Sequence, residues 1–176
     1  MTVKKDIDKR RLKEAFFRSY DGGRVADLFV KLAAGRQVPG LSLIGEGMHF
    51  RCWREKKAGR DLDLVLKVAS PEFLSEIGNI RAWTDSLAKM PVDIELMPPI
   101  AMVPLKVGMV ESIGIAMPFG PDDADRCSDW WQPMTDLVAA FKGGAKLGGL
   151  VLGDIPQIRC WDGIPFMIDI SDLRAL

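Results

Sequence analysis

The sequence predicts an α+β fold in which helices precede and interrupt a block of strands. Three observations lead to this prediction. Apolar residues recur at helical spacing over residues 6–20 and again over 24–34. From Leu41 the spacing becomes strand-like, and it is clearest over 62–68, where every second residue is apolar. Short polar or glycine-containing runs then separate neighbouring strands, as hairpin loops do.

The strand block contains five predicted strands and one inserted helix. The strands are expected at residues 41–44, 48–54, 62–68, 100–107 and 109–117. Ser70 and Pro71 are suited to begin a helix, which we expect to run to about Lys89. Its predicted buried stripe consists of Phe73, Ile77, Ile80, Trp83 and Leu87, with Glu76 beside it. A helix over 129–142 and a hairpin turning at Asp162-Gly163 follow.

Composition limits the class of protein. The chain has 176 residues, of which 48% are hydrophobic and 27% charged, as expected for one domain or one domain in two small lobes. Its 24 basic and 24 acidic residues balance, so we expect no nucleic-acid partner. No apolar run approaches the roughly 18 residues of a membrane span, and no signal-peptide pattern is visible, so we expect a cytoplasmic location.

The cysteine and histidine content disfavours several chemistries. The three cysteines, Cys52, Cys127 and Cys160, are odd in number and form no C-x-x-C pair. This argues against a disulfide framework and against a zinc site. His49 is the only histidine, which excludes a His-cluster metal site, and we expect it simply to form the tip of a hairpin.

Candidate functional residues follow one another in a defined order. Gly45-Glu46-Gly47 lies between the first two strands, and Lys67 lies on the third strand, on the face opposite its apolar layer. Met117-Pro118-Phe119-Gly120 ends the fifth strand. Two acidic positions come later, in Leu152-Gly153-Asp154 and in Ile168-Asp169-Ile170-Ser171.

This order resembles the protein-kinase-like superfamily, over roughly residues 41–173. The run ending at Asp154 is similar to the Gly-Asp loop of aminoglycoside and lipopolysaccharide kinases. The resemblance implies an antiparallel N-lobe sheet with one inserted helix, followed by a truncated C-lobe. It also implies three regions within a single structural unit: an N-terminal helical extension at 1–40, an N-lobe at 41–120 and a short C-lobe at 121–176.

The resemblance further implies ATP and Mg²⁺ as cofactors and assigns roles to particular residues. Catalysis would rest on Asp154 and Lys67. Nucleotide binding would involve Gly45, Gly47, Lys67, Glu76, Met117 and Phe119. Mg²⁺ would be held by Asp169 and Gln157. Glu76 would orient Lys67, with Glu72 as an alternative partner for that lysine, and Asp172 competes with Asp169 as the functional acid.

The sequence also departs from the family pattern, which leaves two functions open. Leu152 replaces the usual His before Gly-Asp, and Arg159 occupies the position of the metal-binding Asn. One function is a kinase-type phosphotransferase acting on a protein or small-molecule hydroxyl. The alternative is a pseudokinase, a nucleotide- or protein-binding regulatory module. We expect a protein partner or a second copy to cover the short C-lobe. A third hypothesis, outside the kinase resemblance, is an interaction domain of helices and strands whose N-terminal helices dock a partner.

Overall fold

The computed structural model describes residues 2–90, 96–127, 130–142, 150–152, 157–170 and 173–175. The fold is α+β, as predicted, and the chain divides into two compact units. Unit 1 comprises Met1–Glu76 and Pro99–Phe119, and unit 2 comprises Ile77–Pro98 and Gly120–Leu176. Among the described helices, none has the length and apolar character needed to cross a membrane.

Unit 1 is built on a five-stranded antiparallel sheet, which confirms the predicted strand block. Its strands are β1 (Leu41–Glu46), β2 (Phe50–Glu55), β3 (Leu64–Ala69), β4 (Ala101–Val107) and β5 (Val110–Pro118). They lie in the order β1-β2-β3-β5-β4, so β3 is central and bonds to β2 and β5. All six residues of β3 are buried, which means that both faces of this strand are covered.

Two N-terminal helices, α1 (Thr2–Ser19) and α2 (Gly22–Ala33), belong to the same unit. The Asp21 side chain caps α2 by accepting a hydrogen bond from the Arg24 N–H at 3.1 Å. Phe29 of α2 is fully buried over Gly114 of β5, where a Cβ would lie only 2.5 Å from the ring. Gly114 lies opposite Val68, so α2 covers the face that carries Leu64, Leu66 and Val68.

A buried ionic cluster also joins α2 to the sheet. The Glu55 carboxylate, on β2, accepts hydrogen bonds from Arg24 Nη2 at 3.0 Å and from Arg60 Nη1 at 2.8 Å. Burial alone would raise the pKa of Glu55, but the hydrogen bonds and charges of the two arginines outweigh it and the pKa lies below its usual value. The carboxylate is therefore held in its ionised form between a helix and a strand.

The predicted single helix from Ser70 to Lys89 is wrong, because the chain breaks near Gly78. The structure has α3 (Pro71–Ile77) and α4 (Ile80–Ala88) instead. Gly78 adopts a left-handed φ of 66°, and the Asn79 side chain accepts the Ala82 N–H at 3.0 Å as the cap of the second helix. The break also coincides with the boundary between the two units, which falls after Glu76.

Unit 2 contains α4 and a set of short strands. After a two-residue strand β6 (Asp122–Asp123) and a 3₁₀ turn come α5 (Trp131–Lys142), β7 (Leu150–Leu152), β8 (Ile158–Trp161), β9 (Ile164–Met167) and β10 (Leu173–Ala175). The predicted hairpin turn is confirmed, with Asp162 and Gly163 at positive φ between β8 and β9. Trp83 of α4 is fully buried and donates from Nε1 to the Leu173 carbonyl at 2.8 Å.

A disulfide joins Cys127 to Cys160 within unit 2, which contradicts the argument against disulfides drawn from the cysteine count. The two Cα atoms are 5.7 Å apart, within the range that a disulfide spans. Cys52 stands outside this pair. The partners are 33 residues apart in sequence and share no motif, so only the folding of the chain brings them together.

Candidate functional site

Lys67 lies at the centre of the sheet of unit 1, on the face opposite to α2. Its cross-strand neighbours on this face are Cys52 of β2 and Ile115 of β5. Only 6% of Lys67 is exposed. Lysine is rarely buried to this extent, because removing an ammonium group from water is costly unless other groups compensate. The position therefore differs from that of an ordinary solvated lysine on a strand.

The β1–β2 hairpin lies near the end of β3 that carries Lys67. The Gly47 N–H donates to the Phe50 carbonyl at 3.0 Å, and the Ser70 N–H that follows β3 donates to the His49 carbonyl at 2.8 Å. Neither Gly45 nor Gly47 has a positive φ. A Cβ at Gly45 would meet nothing within 4 Å, and one at Gly47 only the Phe50 carbonyl oxygen at 3.8 Å. The fold itself thus requires glycine at neither position, and the space above both is open.

Glu76 contacts the tip of this hairpin. Its Oε2 lies 3.1 Å from His49 Nε2, and the His49 ring packs 5.5 Å from the ring of Phe73. Glu76 is exposed, so its predicted place beside a buried stripe is wrong, since α3 ends one residue later and the buried Trp83 and Leu87 belong to the separate helix α4. The sequence offered no signal for the contact with His49, which depends on how the hairpin meets α3.

Met117 lies near the end of β5 and Phe119 directly follows this strand, and both are predicted nucleotide contacts. Met117 is fully buried opposite Val65. The Phe119 N–H donates to the Asp63 carbonyl at 2.9 Å, and the Arg54 guanidinium lies 4.0 Å from the centre of the Phe119 ring. Arg54 also pairs with the Asp63 carboxylate, at 2.6 Å from Nη2. The main-chain N–H of Phe119 is therefore already bonded within unit 1.

Arg54 and Asp63 are residues of this region that the sequence prediction missed. They lie nine residues apart, on either side of a polar loop, and neither belongs to a motif. Alternation along β2 and β3 could have placed Arg54 on the Lys67 face, since it pairs with Val65. The contact of Arg54 with Phe119 could not be foreseen, because it depends on the path of the chain after β5.

In unit 2 the structure brings Gln157 and Asp169 to one end of the β8–β9 hairpin. The Ile168 N–H donates to the Gln157 carbonyl at 3.0 Å and extends the ladder by one bond beyond Ile158 and Met167. Gln157 is exposed and Asp169 partly so. Carboxylate and amide oxygens suit Mg²⁺, although the described residues contain no cluster of three or more His, Cys, Asp or Glu side chains.

Glu72, the alternative partner for Lys67, is exposed in the first turn of α3, and the two other candidate acids lie outside the described residues. These are Asp154, the predicted catalytic residue, and Asp172, the alternative to Asp169. The predicted site is therefore described in two parts. Unit 1 contains Gly45, Gly47, Lys67, Glu76, Met117 and Phe119, and unit 2 contains Gln157 and Asp169.

Arg159, at the position where the resemblance expects a metal-binding Asn, makes three contacts within unit 2. Its Nε donates to the Gly120 carbonyl at 2.9 Å and its Nη2 to the Pro121 carbonyl at 3.1 Å. Nη1 pairs closely with the Asp123 carboxylate. A Cβ at Gly120 would lie 2.5 Å from the Cβ of Arg159, so glycine permits this close approach. Arg159 thus fixes the segment that follows Phe119.

A cavity of about 950 Å³ lies in unit 1 away from Lys67. Its lining includes Arg51, Trp53 and Val68, which point to the face that α2 covers. Gly47 of the hairpin also borders it. The cavity and the Lys67 face are therefore separate features on opposite sides of one sheet.

No family model and no curated protein matches the sequence. Among solved structures, a cysteine-to-alanine mutant of the Mycobacterium tuberculosis PknI kinase domain is 15% identical with a TM-score of 0.46, over 78% of this chain and 61% of that one. Another structure of the PknI kinase domain is 16% identical with a TM-score of 0.40, over 78% of this chain and 62% of that one. The chain thus spans about three fifths of the length of these kinase domains.

Proposed function

We propose that this chain is a kinase-like protein that binds ATP with Mg²⁺ and transfers a phosphoryl group to a hydroxyl of a protein or small molecule. The observation that carries the proposal is the buried Lys67 on the central strand of an antiparallel sheet. A glycine-containing hairpin adjoins the same end of that strand. A buried cation beside an accessible backbone is what polyphosphate recognition requires.

The residues of the hairpin fit a nucleotide phosphate. Because neither Gly45 nor Gly47 is needed for backbone conformation or packing, the open space above Gly45 and Gly47 would let phosphate oxygens approach the hairpin backbone, where the Gly47 N–H already donates to the Phe50 carbonyl. The hydrogen bond between Glu76 and His49 would hold the hairpin tip against α3. Glu76 would then position the hairpin, a role added to the predicted one of orienting Lys67.

The chemistry would be divided among few residues. Bound ATP with Mg²⁺ would supply the reactive phosphoryl group. Lys67 would neutralise charge on the phosphates, and Asp169 with Gln157 would hold the metal ion. Asp154 would accept or orient the proton of the attacking hydroxyl. The protein's contribution is therefore mainly positioning and electrostatics.

One observation favours the alternative, a pseudokinase that keeps nucleotide or protein binding without transfer. Arg159 stands at the position of the expected metal ligand, and its guanidinium bonds the segment after Phe119. A cation held there by three contacts provides no oxygen for a second metal ion. Transfer would then depend on Gln157, whose uncharged amide is a weak ligand for a metal ion.

Nucleotide binding is tested by thermal unfolding with and without ATP and Mg²⁺. At a ligand concentration about ten times Kd, binding stabilises the folded state by about 1.4 kcal/mol. For a chain of this size that corresponds to a rise in Tm of roughly 3–6 °C. Lys67→Met should abolish the rise, whereas Lys106→Met, an exposed lysine on the same face of edge strand β4, should preserve it.

Transfer is tested next with labelled ATP and a mixture of candidate acceptors, including the protein itself. Label incorporation that is lost in Asp154→Ala but kept in Asp172→Ala would support the phosphotransferase. Binding without any transfer would favour the pseudokinase. The absence of stabilisation at millimolar nucleotide would refute the phosphotransferase and the nucleotide-binding pseudokinase, and would leave only a pseudokinase that binds protein.

A further inference from the structure

The segment that follows Phe119 is attached to the β8–β9 hairpin by contacts of three kinds. We define residues Gly120–Cys127 as the clamp segment. Its β6 strand pairs with β8, with Asp122 opposite Cys160 and Asp123 opposite Arg159. The Arg159 guanidinium bonds the beginning of the segment, and the disulfide ties its last residue to β8.

Of these attachments, only the disulfide can be broken and formed again by a redox reaction. The β6 pairing extends over two residues, and the Asp123 side chain that pairs with Arg159 is 75% exposed, so this ion pair stabilises weakly because water competes for it. The two hydrogen bonds from Arg159 to the carbonyls of Gly120 and Pro121 hold only the beginning of the segment, whereas the disulfide holds its end. The covalent bond between Cys127 and Cys160 is therefore the attachment whose loss should change the segment most.

The two sulfur atoms differ in access. Cys160 is fully buried, whereas Cys127 is partly exposed at the end of the 3₁₀ turn. A small thiolate would therefore attack Cys127 Sγ, forming a mixed disulfide and releasing the Cys160 thiolate, which takes a proton. A second thiolate would attack the mixed disulfide at the sulfur of the small molecule. This step frees the Cys127 thiol and yields an oxidised low-molecular-weight disulfide, and oxidation of the dithiol follows the reverse path.

We propose that Cys127 and Cys160 form a thiol–disulfide switch that controls how firmly the clamp segment is held on the β8–β9 hairpin. The same hairpin carries Gln157 before β8 and Asp169 after β9. Release of the clamp segment from this hairpin would therefore disturb both candidate metal ligands. That functional consequence rests on the proposed nucleotide site. In a reducing compartment a disulfide of this kind is expected to be transient and regulatory.

Hydrogen exchange measured by mass spectrometry on the full chain tests the switch. The protein is equilibrated with reduced or oxidised glutathione, and its cysteines are counted with a thiol reagent. We expect amides of the clamp segment and of residues 158–167 to exchange at least tenfold faster in the reduced form. Renewed oxidation should restore protection. Exchange rates within twofold of each other, or a disulfide that is reduced only when the chain unfolds, would overturn the proposal.

Two variants sharpen the result. Cys127→Ser should show the fast exchange of the reduced form under all redox conditions, while Cys52→Ser, which leaves the pair intact, should still respond to glutathione. A Cys127→Ser variant with the slow exchange of the oxidised form would contradict the switch.

Affinity for ATP with Mg²⁺ tests the functional consequence separately. We expect Kd to be about fivefold to tenfold higher in the reduced form. Equal affinity in both forms would refute the link between the switch and the site, while leaving the proposed function intact. Absence of binding in both forms would refute the proposed function, and the exchange measurement would still decide whether the switch exists.

Discussion

The ionic cluster around Glu55 provides the sharpest test of how the N-terminal helices are attached to the sheet. Glu55 is 7% exposed and accepts hydrogen bonds from Arg24 of α2 and Arg60 of the loop after β2. Glu55→Gln preserves the shape of the side chain but removes its charge. Two partly buried guanidinium groups would then face a neutral amide that cannot compensate them.

The expected loss follows from the burial and number of these contacts. Removing one partner of a buried ion pair costs about 3–5 kcal/mol. Because glutamine retains one oxygen acceptor, we expect the lower end, about 3 kcal/mol. At roughly 2–4 °C per kcal/mol for a chain of this length, Tm should fall by about 6–12 °C.

The control is Glu46→Gln, on the adjacent strand β1. Glu46 pairs with Arg51, but its side chain is 52% exposed, so its loss should cost no more than about 1 kcal/mol. Thermal and urea unfolding of both variants, followed by circular dichroism at pH 7, gives the comparison. If Glu55→Gln destabilises the protein no more than Glu46→Gln does, the cluster does not anchor α2.

The pH dependence of the same variant checks the cause. The folded state lowers the pKa of Glu55, so its stabilisation is present above the unfolded pKa, about 4.3, and is lost as the pH falls through the lower folded value. The difference in unfolding free energy between wild type and Glu55→Gln should therefore be full at pH 7 and shrink below about pH 4. A difference that stays constant down to pH 3 would refute the electrostatic explanation.

Three further substitutions test packing and the hairpin. Gly45→Ala should change Tm by less than about 3 °C, because nothing lies within 4 Å of the added Cβ. The same substitution should weaken the ATP-dependent rise in Tm, and an unchanged rise would contradict the proposed approach of phosphate to the hairpin. Gly114→Ala should lower the free energy of unfolding, measured in urea, by about 1–3 kcal/mol, because the added Cβ would clash with the Phe29 ring. Adding Phe29→Leu to this variant should recover part of the loss, whereas additive losses would argue against the clash. Trp83→Phe removes the donor to the Leu173 carbonyl and should cost about 1–3 kcal/mol in the same assay, with Trp131→Phe, at an exposed position, as a control that should cost little.

The parts of the fold that were predictable have local signals in the sequence. Alternation over Leu64, Leu66 and Val68 marks β3, and the Asp162-Gly163 pair marks a hairpin turn in unit 2. Both depend on residues that are neighbours in sequence. The burial of Lys67 was not predicted, because alternation alone cannot tell that the second face of a strand is covered as well.

The failures have two physical origins. One is local, because apolar spacing from Phe73 to Leu87 fits one helix but does not weigh the left-handed backbone at Gly78 against a continuous helix. The other is dependence on distant parts of the chain, because the pairing of Cys127 with Cys160 and the bonds of Arg159 join segments more than 30 residues apart. The candidate site was predicted as a set of residues, whereas their partners, such as His49 for Glu76, came only from the structure.

The packing of Phe29 over Gly114 bears on how this protein can be shortened in the laboratory. A fragment that begins at Leu41 retains every strand of the five-stranded sheet. It lacks α2, however, so the face carrying Leu64, Leu66 and Val68 becomes exposed to water. Such a bare apolar surface promotes self-association in water. Residues 1–40 are thus a solubility requirement of the sheet, and expression of fragments for biochemical work should retain both helices.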